Sequence, residues 1–202
     1  MKRSIKDVSD AEISLSFARW ANAATKQEIK DGLIWYKAAQ DHCRVQAKRY
    51  GISTYNYATI VSMLSPNNKW ERNLIDADQL VSSYLAGESI DDFKVCTYGA
   101  NKLKAWNAMS KGSEIDGTNS PKTHSFAMNM IGSIDSITID KWMIRAALCG
   151  PDDGVIDTVE SVTPKQYRRL EALCATVAQG FGMAGHSIQA IIWLTIKRHW
   201  GR

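Results

Sequence analysis

Lys122 and Asp140 are the residues of this chain whose types and spacing could do chemistry, and they stand 18 positions apart. Each falls where a helix is predicted to begin. Ser120-Pro121 has the form of an N-cap followed by proline at the first helical position, where its missing N–H costs nothing, so Lys122 belongs to a first turn. Asp140 precedes Trp142, Met143, Ala146 and Ala147 and reads as the cap of the next helix. A helix of about ten residues spans ~15 Å, and the roughly seven or eight extended residues after it cover over ~20 Å. The chain can therefore return Asp140 to within a few ångströms of Lys122, at the edge of one cleft. An amine that sheds its proton beside an ionised carboxylate, both at the positive ends of helix dipoles, is a nucleophile with a charge-stabilising partner. The same residues also read as a solvated first-turn lysine and an ordinary cap, and pattern alone leaves both open.

The surrounding elements must position this pair. Residues 10–30 and 32–50 read as two helices, the second with Leu33, Ile34, Tyr36, Ala39 and Cys43 near helical spacing. Ser53 caps a third, where Tyr57, Ile60, Val61 and Leu64 form a stripe that Ser65-Pro66 ends. Beyond the polar turn at Asn67-Asn68, a fourth stripe comprises Trp70, Leu74, Ala77, Val81 and Tyr84. Thr97 starts a helix with Leu103, Trp106 and Met109 that ends near Gly112. The Lys122 helix runs through Phe126 and Met130. Thr163-Pro164 repeats the cap-plus-proline signal ahead of Tyr167, Leu170, Cys174 and Val177, until Gly180 and Gly182. The last helix, about 187–198, is apolar around most of its circumference and is predicted to be central.

The pattern predicts an all-α protein of eight to ten helices over residues 1–202, as one domain or as two lobes sharing a core. The 13 glycines and 4 prolines among 202 residues are too few for a many-stranded sandwich or barrel. No apolar stretch approaches the ~18 residues of a membrane span. A net charge of +4 permits contact with a polyanion without demonstrating one. The N-terminus lacks an apolar signal core, so a cytoplasmic location is expected. Cys43, Cys96, Cys149 and Cys174 lie far from the short spacings of metal sites, and read as reduced thiols. No metal or cofactor is expected.

From Lys122 to Arg145 the sequence resembles the core of the helix-hairpin-helix DNA glycosylases, the superfamily of endonuclease III, and among them the archaeal-type 8-oxoguanine DNA glycosylase/lyases. Phe126, Asn129, Gly132, Asp135, Ile137, Ile139, Asp140, Ile144 and Arg145 carry the likeness, with the lysine-to-aspartate interval of 18. It is strong over this segment and diffuse over residues 53–200. The resemblance implies a helix-hairpin-helix glycosylase-like fold with a core over about 53–200, Lys122 as Schiff-base nucleophile, and Asp140 as the carboxylate that assists base loss. It also implies a DNA partner, duplex or single-stranded, bound by a monomer. Asn68, Trp142 and Gln189 are the base-pocket candidates, and each reads equally as a core or loop-capping residue. The family's hairpin has glycines four and two positions before the lysine, where this chain has Thr118 and Ser120; a histidine common after the aspartate is Trp142 here.

Most of the chain also resembles bacteriophage-encoded proteins through Trp35-Tyr36, Ser65-Pro66 with Trp70 and Asn73, and Gln189-Ala190-Ile191-Ile192-Trp193. For such a relative the location is the host cytoplasm. Two other functions fit: a phage base-modification enzyme on the same fold, and a non-catalytic DNA- or protein-binding protein.

Overall fold

The computed structural model describes residues 2–111, 115–154, 158 and 161–200. Helix accounts for 71% of the protein, and the described residues contain no strand. The all-α expectation holds. Among the described residues nine α-helices follow one another: α1 (Asp10–Asn22), α2 (Lys26–Tyr50), α3 (Thr54–Leu64), α4 (Trp70–Leu85), α5 (Gly99–Lys111), α6 (Pro121–Met130), α7 (Lys141–Leu148), α8 (Pro164–Gly180) and α9 (Gly185–Trp200). The predicted helix end near Gly112 lies outside the described residues. No helix among the described residues is long and apolar enough to cross a membrane.

The chain folds into two compact units, Met1–Ala38 with Gly132–Arg202, and Ala39–Ile131. In the first, α1 packs on α7, α8 and α9. Ser9 begins α1 with a capping box, its hydroxyl accepting the Glu12 N–H while the Glu12 carboxylate accepts the Ser9 N–H. Phe17 and Trp20 are fully buried beside Met143, Leu170 and Ile192. Residues before position 53 thus supply much of this core. The Trp20 indole N–H donates to the Cys149 carbonyl at 2.6 Å, so the large ring is buried with its one polar group satisfied.

In the second unit α3 packs on α4, α5 and α6. Its predicted stripe is the buried one: Tyr57, Ile60, Val61 and Leu64 are all inaccessible.

Several local expectations are corrected. The first two helices break at 23–25 instead of at 31, because Thr25 and Glu28 form a reciprocal cap: the Glu28 carboxylate accepts the Thr25 N–H at 2.7 Å and the Thr25 hydroxyl accepts the Glu28 N–H at 3.2 Å. Gly32 lies inside α2, not at a boundary. Leu33 and Ile34 are about half exposed, and α2 buries Gly32, Tyr36, Ala39, Cys43 and Ala47 instead. Those mostly small residues let neighbouring helices approach closely. Leu103 is likewise exposed, while Ala105 and Ala108 are the buried residues of α5.

On α4 the buried face is rotated from the apolar stripe so that Asn73 and Asp76 lie inside. Hydrogen bonds hold both, although the buried Asn73 Oδ1 has no partner among the described residues. Asn73 donates to the Val61 carbonyl at 2.9 Å, and Asp76 accepts from Arg72 at 2.7 Å, Asn68 at 2.9 Å and the Cys96 N–H at 2.7 Å.

Candidate active site

Asp140 caps α7 as its position before that helix's apolar residues requires. Its Oδ1 accepts the backbone N–H groups of Trp142 at 2.9 Å and Met143 at 3.0 Å. Its Oδ2 accepts the indole N–H of Trp193, also at 2.9 Å. Trp142 follows at once, partly buried, with the Arg145 guanidinium 4.7 Å and the Lys141 ammonium 5.5 Å from its ring centre. Asp140 therefore lies among tryptophans that carry cations on their faces.

Helix α9 supplies the other side of this cluster. Gln189 is one turn before Trp193, is 4% exposed, and accepts the Tyr36 hydroxyl on its Oε1 at 2.8 Å. Burial pushes the Tyr36 phenol well above its ordinary range, and the nearby Asp140 charge adds to the shift, so this hydroxyl remains a donor. Trp35 faces the Trp193 ring at 6.1 Å between centroids, and the Lys197 ammonium lies 4.0 Å over Trp193. Asp140, Trp142 and Gln189 thus belong to one unit and are joined through Trp193 and Tyr36. Sequence reading assigned neither of those two a role in the site. Their one signal was the recurrence of Trp35-Tyr36 and Gln189 to Trp193 in the phage-like pattern.

Lys122 and Asn68 belong to the other unit. Lys122 is the second residue of α6, half-buried, and within its unit no described carboxylate pairs with it. Pro121 occupies the first helical position as predicted. Ser120 does not cap through its side chain; its carbonyl accepts the His124 N–H at 3.0 Å while its own N–H is held from behind. Asp116 does the holding. Its carbonyl accepts the Ser120 N–H at 2.8 Å and its carboxylate accepts the Thr118 N–H at 2.8 Å. The Thr118 N–H, with the Asn119 side chain, keeps the Asp116 carboxyl below its usual range. The backbone donors that a glycine hairpin would offer to a phosphate are occupied here by an internal acidic residue. A Cβ at Gly117 would lie 3.1 Å from the His124 ring, so a larger residue there would require that ring to give by a few tenths of an ångström.

Asn68 is a loop-closing residue: its amide donates to Asp76 and, at 3.5 Å, to the Leu64 carbonyl, and its buried Oδ1 has no partner among the described residues. Among those residues no group of three or more histidines, cysteines or acids could hold a metal ion. All four cysteines are free thiols.

A family model matches residues 2–200, that of a family of unknown function, DUF7178. The chain belongs to this family. Its match spans both units, so the α6–α7 segment and the N-terminal helices that pack with α9 are features of one DUF7178 chain rather than of a fused domain. No curated protein and no solved structure matches the chain.

Proposed function

We propose that this DUF7178 protein is a DNA glycosylase with AP lyase activity on a helix-hairpin-helix glycosylase-like fold. The observation that carries this reading is the pair of helix starts: a half-buried Lys122 in the first turn of α6 and a hydrogen-bonded Asp140 carboxylate at the start of α7, in the order and interval of the glycosylase pattern.

The target nucleotide leaves the stack, at a cost of a few kcal/mol that a damaged or modified base reduces. The neutral Lys122 amine attacks C1′ as the base departs with the glycosidic electron pair and takes up a proton. Asp140 faces the positive charge that develops on the sugar. Ring opening leaves an iminium at C1′; loss of a C2′ proton then expels the 3′ phosphate. Trp142, Gln189 and Asn68 are the candidates to contact the base, and no cofactor takes part. The protein acts as a monomer in the cytoplasm, the host cytoplasm if it is phage-encoded.

Product analysis on oligonucleotides carrying damaged and phage-type modified bases tests the reading. Sodium borohydride should trap a covalent protein–DNA adduct on the cognate substrate, and Lys122→Ala should abolish trapping without changing the circular dichroism spectrum. Full activity in Lys122→Ala sinks the lyase mechanism.

Asp116 favours a second reading. With the hairpin N–H groups taken internally, the protein could retain the fold for binding alone, or for modifying a phage base without excising it. Nucleic-acid binding without product from any oligonucleotide is its signature.

A further inference from the structure

A helix cap needs one carboxylate oxygen. Oδ1 of Asp140 performs that task alone, accepting two of the free N–H groups of the α7 first turn. The bond from Trp193 to Oδ2 is therefore surplus to capping, and it comes from a residue 53 positions away on α9. An indole has a single donor, and here that donor goes to this oxygen. The Trp193 ring has two further neighbours, the tilted Trp35 ring at 6.1 Å between centroids and the Lys197 ammonium 4.0 Å over its face. The cation over the ring draws electron density toward it and leaves the N–H edge more positive, which strengthens donation to a carboxylate.

We propose that Trp193 is the positioning residue of Asp140, with Lys197 acting through the indole. Two N–H bonds to one oxygen leave the carboxylate plane free to swing about that oxygen. The third bond, to the other oxygen, removes that freedom. Oδ2 then presents its remaining lone pair in one direction, which is what a carboxylate needs if it is to stabilise a cation at one atom of a substrate. The assignment rests on the glycosylase reading for what Asp140 does, but the pairing of Trp193 with Asp140 stands apart from it.

Two measurements separate these levels. In the intact protein, the Trp193 indole N–H resonance, assigned from its own through-bond correlations, should exchange slowly with solvent because it is bonded to Asp140 Oδ2. In Asp140→Asn that resonance should move upfield and exchange faster, since the side-chain NH2 would face a second donor. An indole resonance left unchanged in Asp140→Asn overturns the pairing, and needs no folded Trp193 variant.

The second measurement is single-turnover cleavage of whichever oligonucleotide of the damaged and modified panel the wild type cleaves. Trp193→Phe should bind DNA within about twofold of the wild type yet react about tenfold to a hundredfold more slowly, the range expected for one hydrogen bond to a charged group. Combining it with Asp140→Asn should slow the reaction no further than Asp140→Asn alone, because both remove the same oriented carboxylate. Multiplicative losses would make Trp193 merely structural and overturn the proposal. If the wild type cleaves nothing, the glycosylase reading falls, and the resonance decides the pairing alone.

Discussion

Gly32 on α2 lies so close to α9 that a Cβ would stand 2.5 Å from the Ile191 side chain and 2.9 Å from its backbone nitrogen. The side-chain contact could relax by a rotamer change; the backbone contact cannot. Alanine would favour the helix by about 1 kcal/mol at this position, but overpacking against a helix backbone costs about 1–3 kcal/mol. Gly32→Ala should therefore destabilise the protein despite its better helix propensity. Urea unfolding gives the sign, and a stabilised variant would mean that α2 and α9 can separate cheaply.

Asp116 takes the N–H of Thr118 with its carboxylate. If the loop before Lys122 faces nucleic acid, this charge repels phosphate, and Asp116→Ala should strengthen binding to a short duplex at low salt by about threefold. Fluorescence anisotropy reads the change. An unchanged affinity places the loop away from the DNA.

The loop after α7 should be sensitive to acid. The Gly150 N–H, at 2.6 Å, and then the Arg19 guanidinium hold the Asp153 carboxyl below its usual range. A carboxyl with a depressed folded-state value contributes stability above its unfolded value of about 3.9, and loses it as pH falls through the lower folded value. Unfolding free energy should thus decline below about pH 4, and Asp153→Asn should flatten part of that decline. A variant with the wild-type pH profile would show that the Arg19 contact is screened to nothing.

Burial pushes the thiols of Cys43, Cys149 and Cys174 up to about 12, whereas Cys96 is exposed. A neutral-pH alkylating reagent needs thiolate, so the native protein should gain one adduct, at Cys96, and the denatured protein four. Intact-mass and peptide mapping give the count. Rapid modification of Cys43 or Cys174 in the native state would mean that their helices open readily.

Helix periodicity, caps and proline at the first helical position are local properties, set by side chains three and four apart and by one turn of backbone. For that reason the all-α class, the α3 stripe, the starts of α6 and α8, and the capping of α7 by Asp140 are legible in the amino-acid order alone. Side-chain partners across helices are not, because they depend on which faces meet. Periodicity starts the second helix at residue 32, but Gly32 lies inside α2, where packing brings it against the backbone of Ile191 on α9. Leu33 and Ile34 extend an apolar stripe on paper, yet the face that meets neighbours carries smaller residues. Asn73 and Asp76 count as polar surface until Val61, Asn68, Arg72 and Cys96 supply their partners. Asp140 is identifiable as a cap from its place before an apolar run. That its second oxygen belongs to Trp193, and that Gln189 is held by Tyr36 from 153 positions away, follows only from tertiary packing, which brings groups distant in the chain within hydrogen-bond reach.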